Sequence, residues 1–222
     1  GVEAVVVAST GNVAISYAAY CARAGIKVWA FFPSLAPGDK MREAALYGAE
    51  VVKVDGSYDE AKAVAAEFAR RKGIHLDRGA RAIPGKEAMK TLAFEIAEQL
   101  GLEFDHERGH WLSPDWYIQA AGCAPMVEAY RQSASTVDPV TPQTLIHILA
   151  TGDPGHAYVL LNEAVRSNHG TMLAVEDGET FAAMRRLAST AGLSGEPATA
   201  VPFAGGERML YDGIISDDEI VV

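Results

Sequence analysis

A regular alternation of apolar strand-like runs and helical segments in the first third of the chain most constrains its fold. Apolar runs rich in β-branched residues predict strands at residues 2–8, 27–32, 50–55 and 74–76. Apolar residues at helical spacing predict helices between them, at residues 13–24, 38–47 and 57–72. Helical connections of this length let successive strands lie parallel, joined by right-handed crossovers. The alternation therefore predicts an α/β fold.

The rest of the chain continues the alternation less regularly. Further helices are predicted at residues 87–100, 123–132, 153–167 and 177–191. Further strands are predicted at residues 116–119, 172–175 and 219–222, and polar loops with glycine and proline at residues 101–114 and 133–142. The Gly205-Gly206 pair after Ala204 indicates the end of a helix, because glycine commonly follows the last helical residue.

Composition and charge argue against several classes of function. The formal net charge of −10 over 222 residues opposes binding to nucleic acid or to an anionic membrane, because both attract basic proteins. The sequence has no run of 18 uncharged apolar residues and no basic leader, so neither a membrane span nor a signal peptide is predicted. The two cysteines, Cys21 and Cys123, lie far apart, which favours reduced thiols over a disulfide or zinc site. We therefore expect a cytoplasmic globular protein.

The stretch Ala8-Ser9-Thr10-Gly11-Asn12 joins the first predicted strand to the first predicted helix. Gly11 permits a tight turn, and the first N–H groups of the helix have no partner within the helix. Those donors and the positive end of the helix dipole favour an anion, to which the Ser9 and Thr10 hydroxyls and the Asn12 amide can add hydrogen bonds. An ordinary helix cap is the alternative interpretation, because these residue types are favoured at that position anyway.

This turn, followed by a helix of small residues, resembles the substrate loop of fold-type II pyridoxal-phosphate enzymes. Five further stretches resemble that family in the same order, at residues 47–61, 87–96, 122–126, 142–154 and 196–200. Within the family they are more similar to threonine synthases, and to their relative cysteate synthase, than to cysteine synthases. Ala88 departs from the pattern, since the family usually has glycine there.

The resemblance implies parallel sheets flanked by helices in two lobes. Residues 1–77 would form the small lobe, which carries the Ser/Thr-Gly-Asn loop, and residues 78–222 would form part of the larger cofactor lobe. A homodimer is the expected assembly of the full enzyme.

The resemblance also implies roles for particular residues. The substrate-binding residues would be Ser9, Thr10, Gly11 and Asn12, with the hydroxyls on the substrate carboxylate. The residues that contact pyridoxal 5'-phosphate would be Asn12, Glu196 and Thr199.

For a threonine synthase, the implied reaction is loss of phosphate from O-phosphohomoserine followed by addition of water to give threonine. The same scaffold would also suit a cysteate synthase acting on phosphoserine, or an amino-acid dehydratase, because pocket shape rather than fold selects the substrate. An alternative of another class is a non-catalytic α/β protein that binds a small anion at the turn or packs against a partner.

Three cofactor contacts of the family do not occur in this sequence. The Schiff-base lysine of the family precedes the loop, whereas all seven lysines here follow it, and Lys90 is expected to be a solvated helix charge. The glycine-rich phosphate cradle is missing, because residues 118–125 pass from a strand directly into a later motif. The family's turn at the pyridine nitrogen would follow residues 219–222. We therefore expect these 222 residues alone to be inactive.

His106 and His110 lie four residues apart among acidic residues, a spacing that suits a metal site on a helix. Glycines at positions 101 and 109 favour a polar loop there instead. We therefore predict no metal site.

Overall fold

The computed structural model of the chain describes residues 1–77, 79, 83–101, 104–105, 110–111, 116–219 and 221. They form two compact units, Gly1–Gln99 and Leu100–Val222. The fold is α/β with parallel sheets, as predicted. The division into lobes at residues 1–77 and 78–222 stays a prediction.

Strands and helices alternate through the first unit. They are β1 (Ala4–Ala8), α1 (Asn12–Ala24), β2 (Lys27–Pro33), α2 (Gly38–Leu46), β3 (Glu50–Val54), α3 (Tyr58–Lys72), β4 (His75–Leu76) and α4 (Ile83–Leu100). The bounds of β1 to β4 and α1 to α3 lie within two residues of those predicted. α4 begins four residues earlier than predicted, at Ile83 rather than at residue 87.

The four strands of the first unit form one parallel sheet in the order β3-β2-β1-β4. β1 lies inside the sheet, pairing with β2 from Ala4↔Lys27 to Ala8↔Phe31 and with β4 at Val5↔His75. Because parallel strands end at a common edge, the loops that follow all four strands lie at the carboxyl edge of this sheet.

Both faces of this sheet are covered by helices. Val5 and Val7 of β1 pack in one cluster with Ala14 of α1 and Ala44 of α2. Val6, which points to the opposite face, packs in another cluster with Ala65 of α3. Burial on both faces explains why β1 and β2 appear in the sequence as continuous apolar runs rather than as alternating ones.

The start of α3 follows the prediction closely. Ser57 accepts a hydrogen bond from the N–H of Glu60 at 3.2 Å, and Glu60 Oε2 accepts one from the N–H of Ser57 at 2.7 Å. This reciprocal capping box satisfies N–H groups that the helix leaves unpaired.

The predicted loop at residues 101–114 contains two short strands. β5 (Phe104–Asp105) and β6 (His110–Trp111) pair antiparallel. The loop prediction is wrong for these residues, because strands of two residues are too short to give an apolar pattern. His110 therefore lies in a strand rather than on a helix, and His106 lies outside the described residues.

The second unit is built on a two-stranded parallel sheet with helices. Its further elements are β7 (Trp116–Ala120), α5 (Pro125–Arg131), α6 (Ala157–Ser167), β8 (Thr171–Val175), α7 (Asp177–Arg186) and α8 (Pro197–Tyr211). β7 and β8 pair in parallel from Trp116↔Thr171 to Ala120↔Val175. The helix predicted at residues 177–191 is confirmed, since α7 continues into a π turn, Leu187–Ala191.

Two predictions for the C-terminal region are wrong. The Gly205-Gly206 pair lies inside α8 rather than at a helix end. Gly205 is there because α8 packs closely on β7: a Cβ at this position would lie 2.8 Å from Cγ1 and 2.9 Å from Cγ2 of Ile118. The strand predicted at residues 219–222 does not form at Glu219 or Val221, and Ile220 and Val222 lie outside the described residues.

None of the helices that the structure describes combines the length and the apolar character needed to cross a bilayer.

The two adjacent glycines of α8 predict opposite effects on stability. We expect Gly205→Ala to lower the free energy of unfolding by about 1–2 kcal/mol, because the added methyl group collides with Ile118. Gly206→Ala is the matched control, since no atom lies within 4 Å of a Cβ there, and alanine should raise stability by up to about 1 kcal/mol. Urea denaturation of both variants measures the difference, and equal effects would contradict the packing argument.

Candidate functional site

The turn between β1 and α1 lies at the carboxyl edge of the first sheet. Ser9 follows the last residue of β1 and its N–H donates to the Phe31 carbonyl of β2 at 2.9 Å. α1 begins at Asn12, so three residues connect strand and helix. Ligands of open parallel sheets bind in this location, outside the carboxyl ends of the strands.

Ser9 holds the start of α1 in place. Its side chain is buried, with 4% of its surface exposed. The Oγ atom accepts hydrogen bonds from the N–H of Gly11 at 3.0 Å and of Ala14 at 3.2 Å. The Ala14 bond satisfies one N–H of the first helical turn. Ser9 therefore acts as a cap of α1, and the anion-site interpretation of the turn stays a prediction.

Lys40 of α2 lies across the turn. Its ammonium group donates a hydrogen bond to Oδ1 of Asn12, the first residue of α1. A Cβ on Gly11 would collide with Cδ of Lys40 and lie 3.3 Å from Cε, so the absence of a side chain at Gly11 gives Lys40 this position. A cation is thus held at the positive end of the α1 dipole, an arrangement that attracts an anion.

Two tyrosines and an aspartate flank the turn at the same edge. The Tyr58 hydroxyl donates to the Ala8 carbonyl at 3.5 Å, and Tyr17 of α1 lies within electrostatic reach of the Asp77 carboxylate. Burial, followed by the negative charge of Asp77, raises the pKa of Tyr17. Burial, followed by the charges of Asp59 and Asp77, raises the pKa of Tyr58. Both phenols therefore stay protonated and able to donate at neutral pH.

The sequence-predicted site residues fall in both units. Ser9, Thr10, Gly11 and Asn12 lie together in the turn, with Thr10 half-buried and Asn12 exposed. In the second unit, Glu196 is the N-cap of α8, and its carbonyl accepts a hydrogen bond from the N–H of Thr199 at 2.9 Å. The contacts of these residues with substrate or cofactor stay predictions.

Sequence reasoning missed Lys40, Tyr17, Tyr58 and Asp77. A signal for two of them was present, because α2 and α3 follow strands that neighbour β1 or β2 in a parallel sheet. Residues in the first turn of such helices, here Lys40 and Tyr58, lie at the same edge as the β1–α1 turn.

The region where the family's phosphate cradle is expected has a different arrangement. β7 leads through a 3₁₀ turn, Ala121–Cys123, into α5. Pro125, the first residue of α5, has no N–H group. The N–H groups of the next two residues both donate to Gln119 Oε1, Met126 at 3.0 Å and Val127 at 3.2 Å. The first turn of α5 therefore has no donor left for a phosphate, and the residues after β7 do not fit that part of the cofactor.

An open groove between α7 and α8 is a second concave surface. Its two arginines are already paired with carboxylates: Arg186 with Glu207, and Arg208 with Glu179. Because these ion pairs are partly exposed, they add little to stability, and they occupy the groups that an anionic ligand would need.

No group of three or more His, Cys, Asp or Glu side chains within the described parts of the chain is arranged to hold a metal ion.

Comparison with known proteins identifies the family. The family model "Pyridoxal-phosphate dependent enzyme" matches residues 1–107 and 112–222. The chain belongs to this family. Its cofactor is pyridoxal 5'-phosphate.

Several threonine synthases are similar to this chain. That of Methanocaldococcus jannaschii is 34% identical over 250 residues, and that of Methanosarcina acetivorans 32% over 251 residues. Each match covers the whole chain and 61% of the relative, so the chain spans about three fifths of these enzymes. The matched stretches exceed the 222 residues of this chain by 28 and 29 positions, so each alignment contains at least that many positions with no residue of this chain.

Solved structures share the fold. The processed form of threonine deaminase isoform 2 from Solanum lycopersicum has a TM-score of 0.76 at 19% identity and covers 99% of this chain, which spans 68% of it. Maize serine racemase has a TM-score of 0.72 at 18% identity, with 91% of this chain and 65% of the racemase covered.

The buried hydroxyl of Ser9 predicts a stability effect. We expect Ser9→Ala to lower the free energy of unfolding by about 1–2 kcal/mol, because the N–H groups of Gly11 and Ala14 lose their buried acceptor. Ser16→Ala is the control, because Ser16 is exposed on α1. It should change the free energy of unfolding by less than about 0.5 kcal/mol. Thermal and urea unfolding measure both, and equal effects would show that Ser9 does not cap α1.

Proposed function

We propose that this chain is the substrate-binding part of a pyridoxal-phosphate-dependent lyase of the threonine synthase type. The reaction would be elimination of phosphate from an O-phospho amino acid, with conversion of O-phosphohomoserine to threonine. The observation that carries the proposal is the β1–α1 turn, where the ammonium group of Lys40 lies at the N-terminal end of α1. The family and the names of the similar proteins support the same reaction class.

The residues of the turn bind and orient the substrate. The carboxylate accepts hydrogen bonds from the Thr10 hydroxyl and from N–H groups at the start of α1, while Lys40 adds a charge. Ser9 keeps the turn in shape through its bonds to Gly11 and Ala14. Pyridoxal phosphate supplies the electron sink for bond cleavage. Holding the carboxylate fixes the direction of the substrate side chain that carries the leaving group.

Alternatives follow from the same turn. Phosphoserine would be the substrate of a cysteate synthase, and a hydroxy amino acid that of a dehydratase, since each presents the same carboxylate. A non-catalytic anion-binding protein is the alternative of another class, and the satisfied donors at the start of α5 favour it. A homodimer and a cytoplasmic location belong to the proposal as expectations of the resemblance.

Binding of substrate by the chain itself is the first test. We expect O-phospho-L-homoserine to raise the melting temperature, because a ligand of the folded state stabilises it. Lys40→Gln should weaken this affinity about 3- to 10-fold, as expected for loss of one nearby charge. Lys72→Gln is the control: Lys72 ends α3, which runs back to the opposite edge of the sheet, so the affinity should not change.

A melting temperature that does not respond to the phosphoamino acid would contradict binding at the turn. An equal loss of affinity in Lys40→Gln and Lys72→Gln would show that only net charge matters, and would contradict the role of Lys40.

Turnover is the second test, with the protein that carries this sequence and added pyridoxal phosphate. We expect phosphate release from O-phospho-L-homoserine, and a decrease of at least about tenfold in kcat/KM for Thr10→Val, which keeps the shape but removes the hydroxyl. Faster reaction with O-phosphoserine or threonine would identify one of the alternative enzymes. Binding without turnover of any of the three would support the non-catalytic alternative.

A further inference from the structure

Asp77 lies one strand away from the substrate turn. It directly follows β4, and its N–H donates to the Val6 carbonyl of β1 at 2.9 Å, which continues the parallel pairing. The register brings Asp77 level with Val7, two residues before Ser9. Steps of about 3.3 Å along a strand and about 4.8 Å between strands separate the Asp77 and Ser9 backbones by about 8 Å.

The carboxylate of Asp77 is held on the side of the sheet that α1 covers. Leu76 packs in the cluster that includes Val6 and Ala65, on the α3 side, so the next side chain points to the α1 side. There its charge acts on Tyr17 of α1, whose pKa it helps to raise. Its Oδ1 also accepts from the N–H of Gly79 at 3.1 Å. These contacts fix a negative charge beside the turn.

The charge of Asp77 reaches the turn. Tyr58, whose hydroxyl contacts the Ala8 carbonyl next to Ser9, interacts electrostatically with Asp77. The turn therefore has positive features, the N-terminal end of α1 and Lys40, and Asp77 is a negative neighbour, as is Asp59 beside Tyr58.

An O-phospho amino acid has two anionic ends that compete for such a turn. Its carboxylate carries one negative charge, and its phosphate carries nearly two at pH 7 and above. Coulomb energy is proportional to charge, so the α1 end and Lys40 attract the phosphate about twice as strongly. Repulsion by Asp77 is doubled for the phosphate in the same way. Asp77 therefore lowers the preference of the turn for the dianionic end.

We propose that Asp77 is a specificity-determining residue that lowers the affinity of the β1–α1 turn for the phosphate of the substrate relative to its carboxylate. This inference rests on the proposed function, because it assumes that the turn binds the substrate. Misplacement of the phosphate at the turn would put the leaving group where the carboxylate should be.

The test compares two simple anions on the chain. Acetate is the monoanion and methyl phosphate, at pH 8, is the dianion; each is titrated against wild type and Asp77→Asn, and affinity is read from the melting temperature. At a separation of about 8 Å, we expect Asp77→Asn to strengthen acetate binding about 3-fold and methyl phosphate binding by about the square of that, roughly 10-fold. Glu3→Gln removes the same charge at the opposite edge of the sheet and should change neither affinity.

Asp77→Asn removes the charge but keeps an oxygen that can accept the hydrogen bond from the Gly79 N–H. If Asp77→Asn fails to fold, Asp77→Ser gives a second neutral variant, and Asp77→Glu keeps the charge and should keep the wild-type ratio of the two affinities. An unchanged ratio in a folded neutral variant, with both anions still bound, overturns the role of Asp77 and leaves the proposed function intact. If neither anion nor O-phospho-L-homoserine binds the wild type, the proposed function fails and the inference fails with it.

Discussion

The parallel pairing of β1 with β2 on one side and β4 on the other is the interaction on which the first unit depends. It buries Val5, Val6 and Val7 on two faces and aligns the ends of the strands at one edge. Fully buried valines each contribute about 1.5–3 kcal/mol relative to exposure. Because the strands end together, residues far apart in sequence meet there: Ser9, Lys40, Tyr58 and Asp77.

Much of this unit could be predicted from the sequence, since strands buried on both faces give apolar runs and helices give periodic ones. The start of α3 and the Ser9–Asn12 turn have short-range signals, and the sequence predicted both positions. Lys40 and Asp77 have no short-range signal in the residues around them. Their positions depend on strand order, and placing β4 beside β1 requires knowing that the chain reverses direction across the sheet. The pattern of residues within each strand does not contain that information.

The second unit was harder to predict, for reasons that are local to its packing. Two glycines in a row normally end a helix, but Gly205 is selected by the nearness of Ile118. Strands of two residues at 104–105 and 110–111 are too short for a pattern. The resemblance pointed to a missing phosphate cradle after β7, and the structure adds the physical detail that Gln119 and Pro125 leave the first turn of α5 without a donor.

At the proposed site, the hydroxyl of Ser9 would join the folding of the turn and the binding of a ligand in one group. Because it accepts from Gly11 and Ala14, the turn is formed as soon as the first turn of α1 is formed, and a ligand meets donors that are already ordered. Little conformational entropy remains to be lost on binding, which favours affinity for small anions. Fraying of α1 and opening of the site are then the same motion. The exchange of the Gly11 and Ala14 amide protons with solvent would therefore slow in proportion to ligand occupancy, with no movement required elsewhere in the sheet.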